Sequence, residues 1–425
     1  MDDIRISGFL GVNNVEDPIG ARSVKGQAWL SDETRNLDLD NGGTPSVRRG
    51  TVKRYSGTPR YQFTTRDRQR MLFVDGLSLK ELHPDFTATT LAALTSTARM
   101  YWFEANGDIY YTNGADSGIV RGTTIMLWGL PLPPWPTVST ASATAGDLPA
   151  GTYQIVCQYR DNFGRLSGMR DAMTVYLSDN NALVIANIPQ VPGWTTRVLL
   201  SEPDGDEVFV ALETTETAEL WNGPLLDLAQ EAEVSGTRFF GLEALPEGAT
   251  VTALHRGRAY AAVVYPDFTA VYPSQPALYH LFDLSDVIEI PGQVRGMLGT
   301  PYGLVIATDR AVYVRGDDRS LVAVAGYGVP EGWPLTMADM GSTVYVWTLR
   351  GLLEGSGNGW GNVTEQRLSV APGEQAYSYV VEHDGFKQLM MLLQTGGVSY
   401  NRFLATVHAR IIATLPMLEA ALTIS

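Results

Sequence analysis

One cysteine, Cys157, occurs in 425 residues, so no intramolecular disulfide can form and a multi-cysteine zinc site is excluded. Cys157 itself is expected as a buried strand residue. Histidine is almost as scarce: His83, His255, His280, His383 and His408 are scattered, without the His-x-His or His-Glu-x-x-His spacing that a zinc hydrolase needs. There is no Gly-x-Ser-x-Gly elbow and no phosphate-binding loop. The run Gly355-Ser-Gly-Asn-Gly-Trp-Gly361 lacks the lysine and following helix of such a loop, and reads as a hairpin loop. Asp38-Leu-Asp-Asn-Gly-Gly43 is spaced like a calcium loop, but its twelfth position is Arg49, which would repel the ion. No metal, cofactor or catalytic residue is therefore expected. No stretch reaches the roughly 18 apolar residues of a spanning helix. The start, Met-Asp-Asp-Ile-Arg-Ile, lacks the basic and apolar regions of a secretory signal, so synthesis in a cytoplasm with no membrane span is expected. Helix signals are few: Pro224 to Val234 has the pattern of a short helix, and Val407 to Leu422 is open between a helix broken at Pro416 and a strand with a tail.

What is abundant points to strands. The chain has 43 glycines, 23 prolines and 10% aromatic residues, with 44% hydrophobic and 18% charged residues overall. That is an ordinary globular balance, enriched in turn formers and strand formers. An apolar run, a short turn and a second apolar run recur at Met71–Val74 with Asp75-Gly76, at Met100–Phe103 with Asn106-Gly107, and at Leu304–Ala307 with Asp309-Arg310. The pattern returns at Val344–Trp347 with Arg350-Gly351, and more loosely at Leu389–Leu392 with Gly396-Gly397. Asp-Gly, Asn-Gly and Gly-Gly suit the positive φ of tight hairpin turns. Thr308 and Thr348, like Arg310 and Arg350, stand 40 residues apart, near the roughly 40 to 45 residues of a four-stranded propeller blade. The fold class expected is all-β, a β-propeller-like hairpin array, with a meandering sandwich as the alternative.

The series breaks between about Trp135 and Trp221. Pro131, Pro133, Pro134 and Pro136 cannot join a central ladder and read as a stiff linker. In Gly151 to Arg160, Tyr153, Ile155, Cys157 and Tyr159 alternate with Gln154, Gln158 and Arg160, the period of a half-buried strand. Met173–Leu177, Leu183–Ile185, Arg197–Leu200 and Val208–Leu212 read as further strands. Such a segment fits an inserted immunoglobulin or fibronectin-III-like sandwich. The expected organisation is an N-terminal arm over 1–66, the first part of the array over 67–132, the insert over 133–222, and the rest of the array with a C-terminal tail over 223–425.

The net charge is −15, which argues against a dedicated nucleic-acid binder. One segment reverses the sign. From Ser46 to Arg70, the eight cations Arg48, Arg49, Lys53, Arg54, Arg60, Arg66, Arg68 and Arg70 face a single acid, Asp67. They are the candidate interface residues, the alternative being a solvated strand face.

Gly11-Val-Asn-Asn14, Leu37-Asp-Leu-Asp-Asn-Gly-Gly43 and Val47-Arg-Arg-Gly50, followed by Leu245-Pro-Glu-Gly248, His255-Arg-Gly-Arg-Ala-Tyr260 and Tyr302-Gly-Leu-Val-Ile-Ala-Thr308 with Val312-Tyr313, resemble stretches of a known family in the same order. The family is the propeller-bearing tail-nozzle and tail-hub proteins of tailed bacteriophages, from the head-to-tail connector region. The resemblance implies a non-enzymatic virion structural protein. It would be a subunit of a homo-oligomeric ring, hexameric in the family, around a channel that passes phage DNA without sequence-specific binding. Portal or adaptor proteins would be its partners, with tail fibres or spikes beyond. An acidic channel wall would let duplex DNA slide. The alternative reading is a receptor- or glycan-binding tail module, in which aromatics such as Trp333, Trp347 and Trp360 would stack on sugars, although core packing suits them better. The third reading is a propeller glycosidase with two carboxylates across a sugar.

Overall fold

The computed structural model describes residues 54–141, 146, 148–178, 181–222, 238–330, 343–356 and 359–362 with their side chains, and elsewhere the backbone of short strands and of one 3-10 turn, Gly236–Phe239. Apart from that turn, every regular element among the described residues is a strand, so the chain is all-β and built of several small antiparallel sheets. The segment Pro224 to Val234 lies outside the described residues.

Five sheets follow one plan, strands pairing with their neighbours in sequence except at the far side of the third, where Leu242–Glu243 pairs with Leu278–Asp283 and Ile288–Pro291 with Phe268–Gln275. The first comprises Pro59–Thr64, Met71–Asp75, Ser78–Leu82 and Ala88–Ala93. The second comprises Tyr101–Ala105, Asp108–Thr112, Ser117–Arg121 and Thr124–Met126. The third is built on Ala249–His255, Arg258–Val264 and Phe268–Gln275, with Leu278–Asp283, Leu242–Glu243 and Ile288–Pro291 at its far side. Val294–Thr300, Gly303–Thr308, Val312–Arg315 and Leu321–Ala325 make the fourth. Leu335–Met337, Val344–Thr348, Gly351–Ser356 and Gly359–Asn362 make the fifth. Beyond it, Gln375–His383 pairs with Phe386–Gln394. Leu389–Leu392 is thus the second arm of a hairpin, not the first, and Gly396-Gly397 lies outside the described residues. Arg410–Ala413 is a strand paired with Arg402–Ala405.

The turns explain the sequence periodicity. Asn106 and Gly107 have φ of 53° and 80° and set Ala105 opposite Asp108, the positive pair that a type I′ hairpin demands. Thr308 donates to the Ala311 carbonyl at 3.0 Å and accepts the amides of Arg310 and Ala311 at 3.1 and 2.9 Å. Thr348 donates to the Gly351 carbonyl at 2.7 Å and accepts the Arg350 amide at 3.2 Å. The 40-residue recurrence is therefore one hydroxyl-closed turn used in two consecutive sheets.

Consecutive sheets share their cores. Leu72, Val74 and Leu79 of the first sheet meet Ile109, Tyr111 and Val120 of the second. Phe103, Tyr110 and Ile119 meet Ala259, Ala261 and Phe282 of the third. Val251, Ala262 and Val271 meet Met297, Leu304 and Ile306 of the fourth, whose Val305 and Val312 meet Val346, Trp347 and Leu352 of the fifth. Strands covered on both faces read as continuous apolar runs instead of alternations, and Asp108–Thr112, Gly303–Thr308 and Val344–Thr348 are buried at every position. The leading strands of the second to fifth sheets neighbour one another in chain order. Gly299 permits the closest approach, since a Cβ there would collide with the Leu254 carbonyl.

Between the second and third sheets, residues 137–221 form two smaller sheets. Thr137–Thr140, Leu183–Ala186 and Ala218–Trp221 make one. Met173–Leu177, Gly151–Arg160, Thr195–Ser201 and Val208–Thr214 make the other. Leu148, Tyr153, Ile155, Cys157, Leu183, Ile185 and Val198 fill the space between them. The strand Gly151–Arg160 is not half-buried as its alternation suggests. Val156 on its second face packs with Met169, Leu199, Phe239, Leu242 and Leu281, because the far side of the third sheet covers that face. Gln158, 1% exposed, satisfies its amide on the Ser167 carbonyl at 2.8 Å. Gly168 lies so close to the backbone of Leu242 that no Cβ fits between them.

Candidate functional site

In each sheet, the turn between its second and third strands lies at the same end as the connection entering a leading strand. Hydrogen bonds stitch these turns across sheets. The Gly292 amide donates to the Asp267 carbonyl at 3.0 Å, Asp309 to Gln293 at 3.0 Å, Val329 to Thr308 at 2.8 Å, and Leu349 to Gly328 at 2.9 Å. The Gln293 amide also donates to Asp309 Oδ1 at 2.7 Å. Rigid turns of this kind hold side chains at fixed spacing, which a binding surface requires.

Tyr265 and Phe268 stand on this end with ring centroids 4.8 Å apart and planes 18° from parallel. They are 40% and 39% exposed, so the pair offers aromatic surface to solvent beside charged groups. Asp267 lies between them in sequence, and its Oδ1 is 3.7 Å from the Arg310 guanidinium, which also has Asp309 Oδ2 at 3.9 Å. Farther along the same end, Arg350 sits 5.2 Å over the Tyr327 ring, and Arg99 sits 5.3 Å over Tyr101. Tyr101 donates to the Arg295 carbonyl at 2.8 Å, and Arg295 donates to Gln293 Oε1 at 2.8 Å. Exposed aromatic faces beside carboxylates and a guanidinium can hold the apolar face of a sugar ring while hydrogen-bonding its hydroxyls.

None of these residues belongs to the basic segment. Arg48, Arg49 and Lys53 lie outside the described residues. Arg54 lies 5.9 Å over the Phe86 ring, and Arg60, Arg66 and Arg68 are exposed. Arg70 is turned inward, donating to both oxygens of Glu81 at 2.7 and 2.8 Å and to the Gly122 carbonyl at 2.5 Å. The turn Thr65 to Arg70 joins first and second strands, which puts it at the opposite end from Tyr265 and Phe268. Of the aromatics singled out for sugar stacking, Trp347 is a core residue, Trp360 packs against the same core, and Trp333 lies outside the described residues. The exposed pair had a signal in the sequence: Tyr265-Pro-Asp-Phe268 places two aromatics around a Pro-Asp turn, where a buried strand would not put them.

The buried titratable groups lie elsewhere. Burial pushes the Cys157 thiol up to about 12, which leaves it inert at neutral pH. Burial and then the neighbouring Arg256 hold His255 below its ordinary value, with Asp317 at 3.8 Å. Burial lowers His280 to about 4. Among the described residues, no group of three or more His, Cys, Asp or Glu gathers to hold a metal, and no helix is long and apolar enough to cross a membrane.

No protein-family model matches the chain, and no curated protein matches it. Among solved structures, it is similar to a virginiamycin B lyase from Staphylococcus aureus, at 8% identity over 74% of this chain and 87% of that one, TM-score 0.28. A gluconolactonase from Xanthomonas campestris aligns at 10% identity over 72% and 87%, TM-score 0.25. Apo AztD from Citrobacter koseri aligns at 10% over 83% and 88%, TM-score 0.33. Two of these are catalytic proteins by name. The reading as a non-enzymatic phage structural protein, with its vocabulary of tail ring, nozzle, hub and DNA ejection, is corrected accordingly and set aside. Gly248 has φ 74°, and Arg256 and Gly257 have φ 45° and 71°, so much of that resemblance sits on residues that any tight turn selects. At these TM-scores none of the three proteins lends an activity, substrate or partner to this chain.

Proposed function

We propose that the chain is a carbohydrate-recognition protein whose binding surface is the turn end carrying Tyr265, Phe268, Asp267, Asp309 and Arg310. In this reading the five sheets are blades of a propeller-like array, and residues 137–221 are a sandwich of immunoglobulin or fibronectin-III type. Adjacent leading strands in chain order support the first assignment. Two sheets around one core support the second, as does the Tyr153 hydroxyl donating back to the Pro149 carbonyl at 2.8 Å, reminiscent of a tyrosine corner. The observation that carries the function is the half-exposed Tyr265–Phe268 stack flanked by two carboxylates and a guanidinium. The test is retention of the full chain on a panel of immobilised polysaccharides, with the double variant Tyr265→Ala and Phe268→Ala alongside. Loss of two stacking rings should weaken binding at least about tenfold; equal binding by the variant, or retention on no polysaccharide, would reject the reading.

The two carboxylates beside Arg310 favour one second reading, in which the bound sugar is also hydrolysed. That reading requires the chain to shorten a polysaccharide it retains, and Asp267→Asn and Asp309→Asn each to abolish the shortening without abolishing retention.

A further inference from the structure

The joint between residues 137–221 and the third sheet buries a histidine against an ion pair. His280, on the strand Leu278–Asp283, is 9% exposed, with Nε2 3.2 Å from the Leu166 carbonyl. A carbonyl only accepts, so Nε2 carries the proton and donates. Asp161 and Arg165 approach from the insert, 2.8 Å apart with side chains 2% and 11% exposed, and Arg165 also donates to the Leu127 carbonyl at 2.8 Å. Asp108, Tyr110 and Arg121 line the second sheet's side of the Arg165 guanidinium, with Asp108 and Arg121 paired at 2.6 Å. Tyr279 and Asp283 are the titratable groups on the histidine's own strand.

We infer that His280 is an acid-operated latch: taking up a second proton releases the insert from the third sheet while the sheets themselves stay folded. The second proton would sit on Nδ1 and place a full positive charge near Arg165. The nearest counter-charge, Asp161, is already committed, accepting from Arg165 Nε at 2.8 Å and from the amides of Phe163 and Arg165 at 2.9 and 2.8 Å. A charged ring in this joint is relieved only by reaching water. Burial first, and Arg165 second, hold the ring at about 4 against an ordinary 6.5. The docked form therefore binds the proton less tightly than the undocked form. Docking is at full strength above about pH 6.5 and is lost as pH falls towards 4. Release would uncover the apolar face of Val156, Met169, Leu199, Phe239, Leu242 and Leu281.

Hydrogen exchange of the full chain, corrected for intrinsic rates, tests the latch between about pH 7.5 and about pH 4.5. Residues 156–169 and 239–242 should lose protection about tenfold or more in acid, while 303–308 and 344–348 keep theirs. His280→Gln, whose amide donates without taking a proton, should hold the joint closed at both pH values. Unchanged wild-type protection in acid, opening of the sheets together with the joint, or the same acid transition in H280Q would each overturn the proposal. If H280Q does not fold, the wild-type profile decides, because a midpoint outside the window from 4 to 6.5, or one not confined to the joint, rejects the latch.

Discussion

The seams between successive sheets and the joint that holds the insert bury similar apolar clusters but differ in what else they bury. From the first sheet to the fifth, each shared core is built chiefly of aliphatic and aromatic side chains, with Thr112 donating to the Ala249 carbonyl between the second and third sheets and the buried His255 beside Gly299 between the third and fourth. The joint adds Asp161, Arg165, Gln158 and His280 to its apolar cluster. Apolar seams gain from burial at any pH. A joint with buried ionisable groups is stable only while their protonation states fit. The same chain thus carries a body held mainly by apolar seams and a part attached across a buried ion pair.

The sharpest way to break this comparison is to remove equal volume from each side. Leu281 in the joint and Ile306 in the seam between third and fourth sheets are both fully buried. Leu281→Ala and Ile306→Ala should each cost about 2–5 kcal/mol through lost transfer energy and a residual cavity. The thermal profiles should differ in form. Leu281→Ala should split unfolding into two calorimetric transitions with the insert first, and Ile306→Ala should lower the array's transition as a whole. A single shared transition in both variants would mean that joint and seams form one cooperative unit.

A smaller effect sharpens the repeat within the body. Thr308→Val and Thr348→Val keep side-chain shape and delete the hydroxyl that closes each turn. Each should cost about 1–3 kcal/mol, the price of leaving buried backbone groups without that partner. If the two turns are one device, the losses measured by urea denaturation should agree within about 0.5 kcal/mol; a clear inequality would show that the 40-residue spacing does not mark equivalent positions.

Hairpins were legible in the sequence wherever a turn demanded a particular residue, as at Asn106-Gly107 and at Thr308 and Thr348. The strand Gly151–Arg160 was legible from its alternation, and Met173–Leu177 was read as a strand after it. Tertiary cover was not. Nothing local in Gly151–Arg160 says that Val156 will be buried against Leu281, on a strand more than a hundred residues away, so its alternation read as half-buried. The pairing of Gln375–His383 with Phe386–Gln394 was hidden because one arm, Gln-Ala-Tyr-Ser-Tyr-Val, looks too polar for a strand beside an apolar run. The candidate site was read least well. Tryptophans drew attention as sugar platforms, yet large rings are the residues that a sheet-to-sheet core most needs, and Trp347 went there. Tyr265 and Phe268 stayed outside because they flank a Pro-Asp turn, Phe268 opening the strand Phe268–Gln275. The net charge of the segment 46–70 was plain, but whether each guanidinium serves the chain or its surroundings depends on partners that only the fold brings near.

That last distinction gives the smallest prediction, and it bears on the body alone. Arg70 links the first sheet to the second through Glu81 and the Gly122 carbonyl, with side-chain exposures of 22% and 12% for the ion pair. Arg68, two residues earlier in the same turn, is exposed. Arg70→Ala should lower stability by about 1 kcal/mol, because solvent screens a partly exposed pair even when its geometry is bidentate. The loss should shrink in about 1 M salt, where the Debye length falls to about 3 Å. Arg68→Ala should change stability by less than about 0.5 kcal/mol, as surface substitutions usually do. Equal losses for the two would mean that the turn's charge as a whole, not the Arg70 link, supports the body. A difference confined to Arg70 leaves Arg68 as a charge whose loss the fold tolerates.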